Sequence, residues 1–203
     1  MKKHKLVKQV SHLEAERDAL KAKNTSLSDA LNSLRREMKV LEKISLTDGL
    51  TEIGNRRAFS IAIRHVTENY KRTGEKFALV IVDINDLKPI NDELGHEAGD
   101  TLIKSAASIL TNAARTTDGV FRLGGDEFSV ILNNTPNGLP FKNRIKELCT
   151  SSGISMASGW STISHLPYKS LSTEETAEYL FKLADREMYS EKSMLKASRI
   201  IGR

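Results

Sequence analysis

The 203-residue chain has a single cysteine, no long apolar run and no basic stripe outside its first segment. One cysteine, Cys149, excludes an intrachain disulfide and fits a reducing compartment. No stretch approaches the roughly eighteen apolar residues that a membrane span requires. Met1 to Lys8 leads into a charged, heptad-patterned segment and not into the apolar core of a signal peptide. The expected location is the cytoplasm.

The net charge of +5 invites a nucleic-acid reading, and its distribution opposes one. Residues 1–45 carry 11 Lys and Arg against 6 Asp and Glu, and the remaining 158 residues carry 20 of each. The excess lies wholly in the N-terminal segment, so the rest offers no surface suited to phosphate backbones. No nucleic-acid partner is expected.

What the chain does have is regularity at its start. Leu6, Leu13, Leu20, Leu27, Leu34 and Leu41 recur every seven residues, and Val10, Arg17, Asn24, Leu31 and Met38 stand four later. Leucine throughout one core position, with Asn24 in the other, favours a parallel two-stranded coiled coil, because a buried Asn pairs with its twin only in register. Glu16 then faces Lys21 of the second strand favourably, whereas Glu37 meets Glu42. The alternative is one long helix packed on its own domain. A leucine-zipper transcription factor is disfavoured, since MKKHK is too short a basic region. Residues 1–45 are read as a dimerisation and signalling helix and 46–203 as a separate domain.

That domain reads as alternating helices and strands. Lys76 to Ile84, KFALVIVDI, has the near-continuous β-branched character of a strand buried on both faces. Asn55 is placed to cap a helix through RRAFSIAIRHV. A loop with Pro89, Gly95 and Gly99 leads into a helix carrying Leu102, Ile103, Ala106, Ile109 and Leu110. FRLGGDEFSVIL, Phe121 to Leu132, reads as a hairpin. A short helix near Asn143 to Leu148 precedes the strand-like CTSSGISMA, and Ser172 with Glu175 forms a capping box for a last helix. The order predicts an α+β fold of split β-α-β type, with an antiparallel, ferredoxin-like sheet and its helices on one side.

The chemistry gathers at two places. Asp83 ends the buried strand, and Asp126 and Glu127 occupy the hairpin turn. Three carboxylates meeting at one edge are costly unless a cation lies between them, and an oxygen cluster suits Mg²⁺. Gly124 and Gly125 remove side chains where a nucleotide would approach. Such a site resembles those that align phosphates for in-line displacement. A solvated hairpin turn explains the same stretch as well. The segment DINDLKPINDELGHEAGD, Asp83 to Asp100, then adds Lys88 as a point charge for phosphate. Asn91 and Asp100 flank a Gly-His loop. A buried carboxylate accepts from both N–H groups on guanine's Watson–Crick edge and rejects adenine. Taken singly, Asn91 caps a turn, Asp100 favours a first helical turn, and His96 is structural.

GGDEF at Gly124 to Phe128, the DIN-LK-IND-GH-GD pattern from Asp83 to Asp100, and SLTDGLTEIGNRRAF at Ser45 to Phe59 together resemble the GGDEF family of diguanylate cyclases. The likeness covers roughly residues 45–200. It implies a fold related to the nucleotide-cyclase palm, preceded here by a long coiled-coil helix, in which two GTP molecules condense to cyclic di-GMP across a homodimer. It also implies a metal, Mg²⁺ or Mn²⁺, held by Asp83, the Ile84 carbonyl and Asp126 with Glu127 assisting. Asp126 would help deprotonate the attacking ribose 3′-hydroxyl. Asn91 and Asp100 would read guanine, His96 would lie beside the nucleotide, and Lys88 and Lys192 would hold phosphates. Gly124 and Gly125 would make room for ribose and phosphate. Arg115 and Asp118, in RTTD, match the family's product-inhibition site, for which the plain alternative is an exposed ion pair.

The sequence departs from the family at four points. Glu52 stands where Gly is usual, Leu87 where Phe is frequent, and Leu195-Lys196 where the family's Gly-Arg follows the Lys of its AK pair. Lys196 keeps the charge of that Arg without its fork. Three classes of function follow: an active cyclase controlled by an upstream sensor or receiver module, a catalytically silent module binding GTP or cyclic di-GMP, and a coiled-coil adaptor.

Overall fold

The structure, a computed structural model of the single chain, describes the backbone of residues 2–166 and 171–201. The side chains of 1–11, Ala15, Lys43 and 198–203 lie outside the description, and with them the heptad positions Leu6 and Val10. The chain divides into two compact units, Met1–Ser45 and Leu46–Arg203.

The first unit is almost all of α1 (Lys2–Leu46), one helix without a break. Its heptad leucines stand open in the single chain: Leu13, Leu20, Leu27, Leu34 and Leu41 are between 56% and 66% exposed. A helix this long and this polar gains little by itself from burial.

The second unit is built on β1 (Ala78–Ile84), every residue of which is buried. The sheet order is β2-β3-β1-β4, with β2 (Gly119–Gly124), β3 (Glu127–Leu132) and β4 (Met156–Thr162), and every pairing is antiparallel. Alternate residues of β1 supply two cores. Ala78, Val80, Val82 and Ile84 face α4 (His96–Ala113) and α5 (Leu139–Ser152), with Ile103, Leu110, Phe141 and Ile145. Leu79 and Ile81 face α2 (Arg56–Thr73) and α6 (Thr173–Ile201), with Phe59, Ile63, Leu180 and Ala184. The helices therefore cover both faces, and the expectation of one side is corrected. The unbroken apolar run of β1 required this, since a strand with one wet face alternates.

Three boundaries also differ from expectation. Pro89 and its neighbours form a short helix, α3 (Leu87–Leu94), because proline in a first turn has no amide to lose. Gly99 lies inside α4 instead of before it, where a Cβ would meet Oδ1 of Asn91 at 1.9 Å. Cys149 to Ser152 end α5, which stops at Gly153 in the left-handed region, and the strand begins only at Met156. Asn55 does cap α2, accepting from the Ala58 amide at 3.0 Å, and the Ser172–Glu175 capping box closes in both directions.

β4 is an edge strand, and α6 covers its free side. The Ser158 and Trp160 amides donate to carboxylates of Glu191 at 2.6 Å and Glu187 at 2.9 Å. Between them, a Cβ on Gly159 would lie 2.1 Å from the Ala184 carbonyl and 2.2 Å from the Met188 amide. Gly159→Ala therefore pushes α6 off the sheet and is expected to cost about 3 kcal/mol in urea denaturation.

Candidate functional site

The hairpin turn is tied to the end of β1 by backbone bonds. Asp83 pairs with Glu127 across β1 and β3, and the Ile84 amide donates to the Asp126 carbonyl at 3.1 Å. The turn consists of Gly125 and Asp126, so Glu127 is the first residue of β3 and not part of the turn. Gly124 and Gly125 have φ of 145° and 52°, and Gly124 follows a bulge in the β2–β3 ladder. Both conformations disfavour a side chain.

Asp83 is 6% exposed and sits between charges of both signs. Burial pushes its carboxyl above the usual carboxylate range; a hydrogen bond from Lys192 of α6 opposes this, the Asp126 charge adds to it, and Lys196 opposes it again. The structure thus brings Asp83, Asp126, Lys192 and Lys196 together. Glu127 turns aside: it is exposed and lies 3.6 Å from Arg56.

Asn91 and Asp100 are brought near each other by Gly99. The Asn91 carboxamide rests on Gly99, next in the chain to Asp100, and Gly95 with φ of 86° turns α3 into α4. Asp100 lies in the second turn of α4, so service to the first helical turn does not explain it. Its carboxylate is exposed, contrary to the expected buried acid, as are Lys88 and His96.

Arg115 and Asp118 do not form the side-chain ion pair offered as the plain alternative to a product-inhibition site. Asp118 accepts from the Arg115 amide at 2.9 Å and the Asn133 amide at 3.0 Å, which fixes the turn. Arg115, Asp118 and Arg144 line a small cavity of about 60 Å³, and Arg144 also donates to the Ala113 carbonyl. Sequence reasoning passed over Arg144, which lies in a helix of weak periodicity.

It also passed over Arg122. This guanidinium donates to the Gly125 carbonyl at 2.9 and 3.2 Å and to both oxygens of Asp48 at 3.2 and 3.3 Å. Asp48 in turn accepts from the amide and hydroxyl of Thr51. The signal was an arginine in an otherwise apolar strand, two residues before the glycines. Arg56 buttresses the same turn, donating to the Leu123 carbonyl at 2.6 Å.

Residues 45–197 match the family model described as "Diguanylate cyclase, GGDEF domain". The chain belongs to this family. It is 29% identical over 174 residues to diguanylate cyclase DgcS of Shewanella oneidensis, covering 82% of this chain and 55% of that one. It is 33% identical over 123 residues to the cyclic di-GMP phosphodiesterase NbdA of Pseudomonas aeruginosa, covering 60% of this chain and 16% of that one. The coiled coil and GGDEF domain of DgcB from Caulobacter crescentus, solved with c-di-GMP, share the fold at 23% identity with a TM-score of 0.72, covering 86% of this chain and 94% of that one. The chain thus spans about half the length of DgcS and less of NbdA.

The GGDEF fold accounts for the departures noted in the sequence. Glu52 has φ of 61°, a conformation for which the usual glycine is suited and glutamate is not. Leu87 packs against the core under α4, Leu195 packs against the core under α6, and Lys196 is close enough to act on Asp83.

Whether these residues fit a divalent ion is a question of donors. Among the described residues no group of three His, Cys, Asp or Glu is assembled closely enough to hold a metal. The carboxylates of Asp83 and Asp126 remain. That set suits Mg²⁺, which commonly takes one or two carboxylates and completes its shell with water and substrate phosphates.

The two aspartates respond oppositely to pH. For Asp48, burial is outweighed by the bonds from Thr51 and Arg122, and its carboxyl lies below the usual range. Its contribution is full above the unfolded value and lost as pH falls through the folded one. Asp48→Asn should cost about 2 kcal/mol at pH 7 by urea denaturation, with the difference vanishing at lower pH. For Asp83 the folded value is raised, so its ionised form costs stability at neutral pH and the cost disappears on acidification. Asp83→Asn should unfold at a urea concentration no lower than wild type at pH 7; a clearly lower midpoint would mean that the Lys192 pair outweighs burial.

Proposed function

We propose that the protein is a diguanylate cyclase that condenses two GTP molecules into cyclic di-GMP and two pyrophosphates across a homodimer. The observation that carries this reading is the meeting of Asp83, Asp126, Lys192 and Lys196 at a Gly-Gly turn, in a chain of the cyclase family. Two carboxylates fit a Mg²⁺ or Mn²⁺ ion, with the Ile84 carbonyl, and two ammonium groups fit a triphosphate. When bound, such an ion would neutralise charge on the phosphates of the leaving group.

The remaining roles belong to the chain. Asn91 and Asp100 orient guanine, and Asp100 leaves adenine unpaired. His96 lies beside the nucleotide in this reading, and Lys88, Lys192 and Lys196 restrain phosphate oxygens. Gly124 and Gly125 leave room for ribose and α-phosphate. The 3′-oxygen of one GTP attacks the α-phosphorus of the other. The new O–P bond replaces the bond to the β-phosphate oxygen, pyrophosphate leaves, and Asp126 assists removal of the 3′-hydroxyl proton. A second, symmetric transfer closes the ring.

Two substrates held on separate subunits need a tether. The exposed leucine stripe of α1 supports a parallel coiled coil joining two copies, which raises the effective concentration of the half-sites. An upstream sensor or receiver module would act through this helix. The cavity lined by Arg115, Asp118 and Arg144 supports a site for inhibitory product.

A silent binding module is the second reading, favoured by the match to a protein named as a phosphodiesterase. Chromatography with mass detection after incubation with GTP and Mg²⁺ separates the two. Cyclic di-GMP should form from GTP and no cyclic product from ATP, and Asp126→Ala should lower turnover at least about a hundredfold. Intact GTP with folded wild-type protein would overturn the cyclase in favour of the module. Removal of residues 1–40 should lower specific activity at low protein concentration, and unchanged activity there would overturn the tether.

A further inference from the structure

The Lys192 ammonium donates a hydrogen bond to Oδ1 of Asp83. The carboxylate that best fits a metal is therefore already bonded to a cation of the chain itself. Asp126, Lys192 and Lys196 all lie close enough to act on Asp83, giving two carboxylates and two ammonium groups there. Their formal charges cancel. A divalent ion approaching this group finds no excess negative charge to draw it in, and it must displace an ammonium from a nearly buried partner. Glu127 is turned away from this group toward Arg56, 3.6 Å away.

Lys192 is also held where it is. Its neighbour Glu191 accepts from the Ser158 amide and lies 3.6 Å from Lys142, while Glu187, one turn earlier, accepts from the Trp160 amide. Gly159 admits no gap between helix and strand. Together these contacts fix the register of α6 on β4 and aim residue 192 at the end of β1.

We infer that Lys192 is the counter-cation of Asp83 before a nucleotide binds, and that a divalent metal enters only with a nucleoside triphosphate, whose phosphates draw the ammonium away from Asp83. The inference rests on the reading of Asp83 and Asp126 as metal-holding residues. One side chain then serves two states: counter-ion of Asp83 before the nucleotide arrives, and phosphate partner afterwards. The polyphosphate brings the negative charge that these four side chains lack between them, so ion and nucleotide bind as a unit and the nucleotide-free protein does not collect metal.

The test is binding of Mn²⁺ to the nucleotide-free full-length protein, followed by the loss of the free-ion signal in electron paramagnetic resonance. Wild type should bind weakly, and Lys192→Met should bind at least tenfold more tightly. Lys182→Met serves as the charge control, because Lys182 pairs with Glu178 on the exposed side of the same helix and makes no bond to the site. It should behave as wild type. Circular dichroism verifies folding, and Lys192→Gln replaces the methionine variant should the latter unfold. Equal affinity of wild type and both Lys192 variants, at a saturable site lost in Asp83→Asn, would overturn the inference and leave the metal site standing. No saturable Mn²⁺ in any variant, and none when a non-hydrolysable GTP analogue is added beyond what the analogue binds in buffer, would overturn both.

Discussion

A carboxylate at the end of a strand buried on both faces is the constraint around which the globular unit is arranged. β1 contributes its whole length to two cores, and Asp83 is the point where that apolar run must accept charge. Ionised and buried, such a group is tolerated only with a countercharge or a cation close by. The topology supplies both kinds of neighbour. β3 carries the Gly-Gly turn to the same end of the sheet and with it Asp126, which makes the cost larger. α6, pinned to the edge strand by Glu187 and Glu191, delivers Lys192, which makes it smaller.

The two faces of the sheet divide the work. Asp83 and Glu127 follow the odd residues of β1 and β3 toward α2 and α6, and there Arg56, Lys192 and Lys196 answer them. α4, which carries Asp100, packs on the opposite face, and α3 makes the passage between the two within a few residues of Asp83. In the proposed reaction the phosphate contacts of Lys192 and Lys196 come from α6, while Lys88 shares α3 with Asn91 beside the base. A change in Lys192 or Lys196 then acts on the face of the sheet opposite α4, away from the Asn91–Gly99 contact.

The legible parts of the fold were those written in local pattern. The apolar run of β1, the Asn55 cap, the Ser172–Glu175 box and the Gly-Gly turn each depend on residues within a few positions of one another. α3 was missed because Pro89 reads as a breaker unless its place in a first turn is known. The single-sided sheet was an error of inference from a correct observation, since the absence of alternation in β1 already demanded cover on both faces. The site followed the same rule. Asp83 and Asp126 stood out through their motifs, whereas Arg122 with Asp48 and Lys192 with Asp83 are separated by 74 and 109 residues. No periodicity reports a partner at that distance.

The segment around the last residue of α1 is bonded within the globular unit. Leu46, the last residue of that helix, accepts from the Asn55 amide, and Gly54 pairs with β2 through Val120 and Arg122. Arg122 then joins Asp48 to the Gly125 carbonyl. Residues 46–55 are thereby fastened to the Gly-Gly hairpin by bonds of ordinary length, all inside the globular unit. The Ile84 amide and Arg56, bonded to the Asp126 and Leu123 carbonyls, hold the same turn from other sides. In the proposed cyclase a coiled coil would add proximity to half-sites each held together within its own globular unit, so loss of the stalk would act on the encounter of the two subunits.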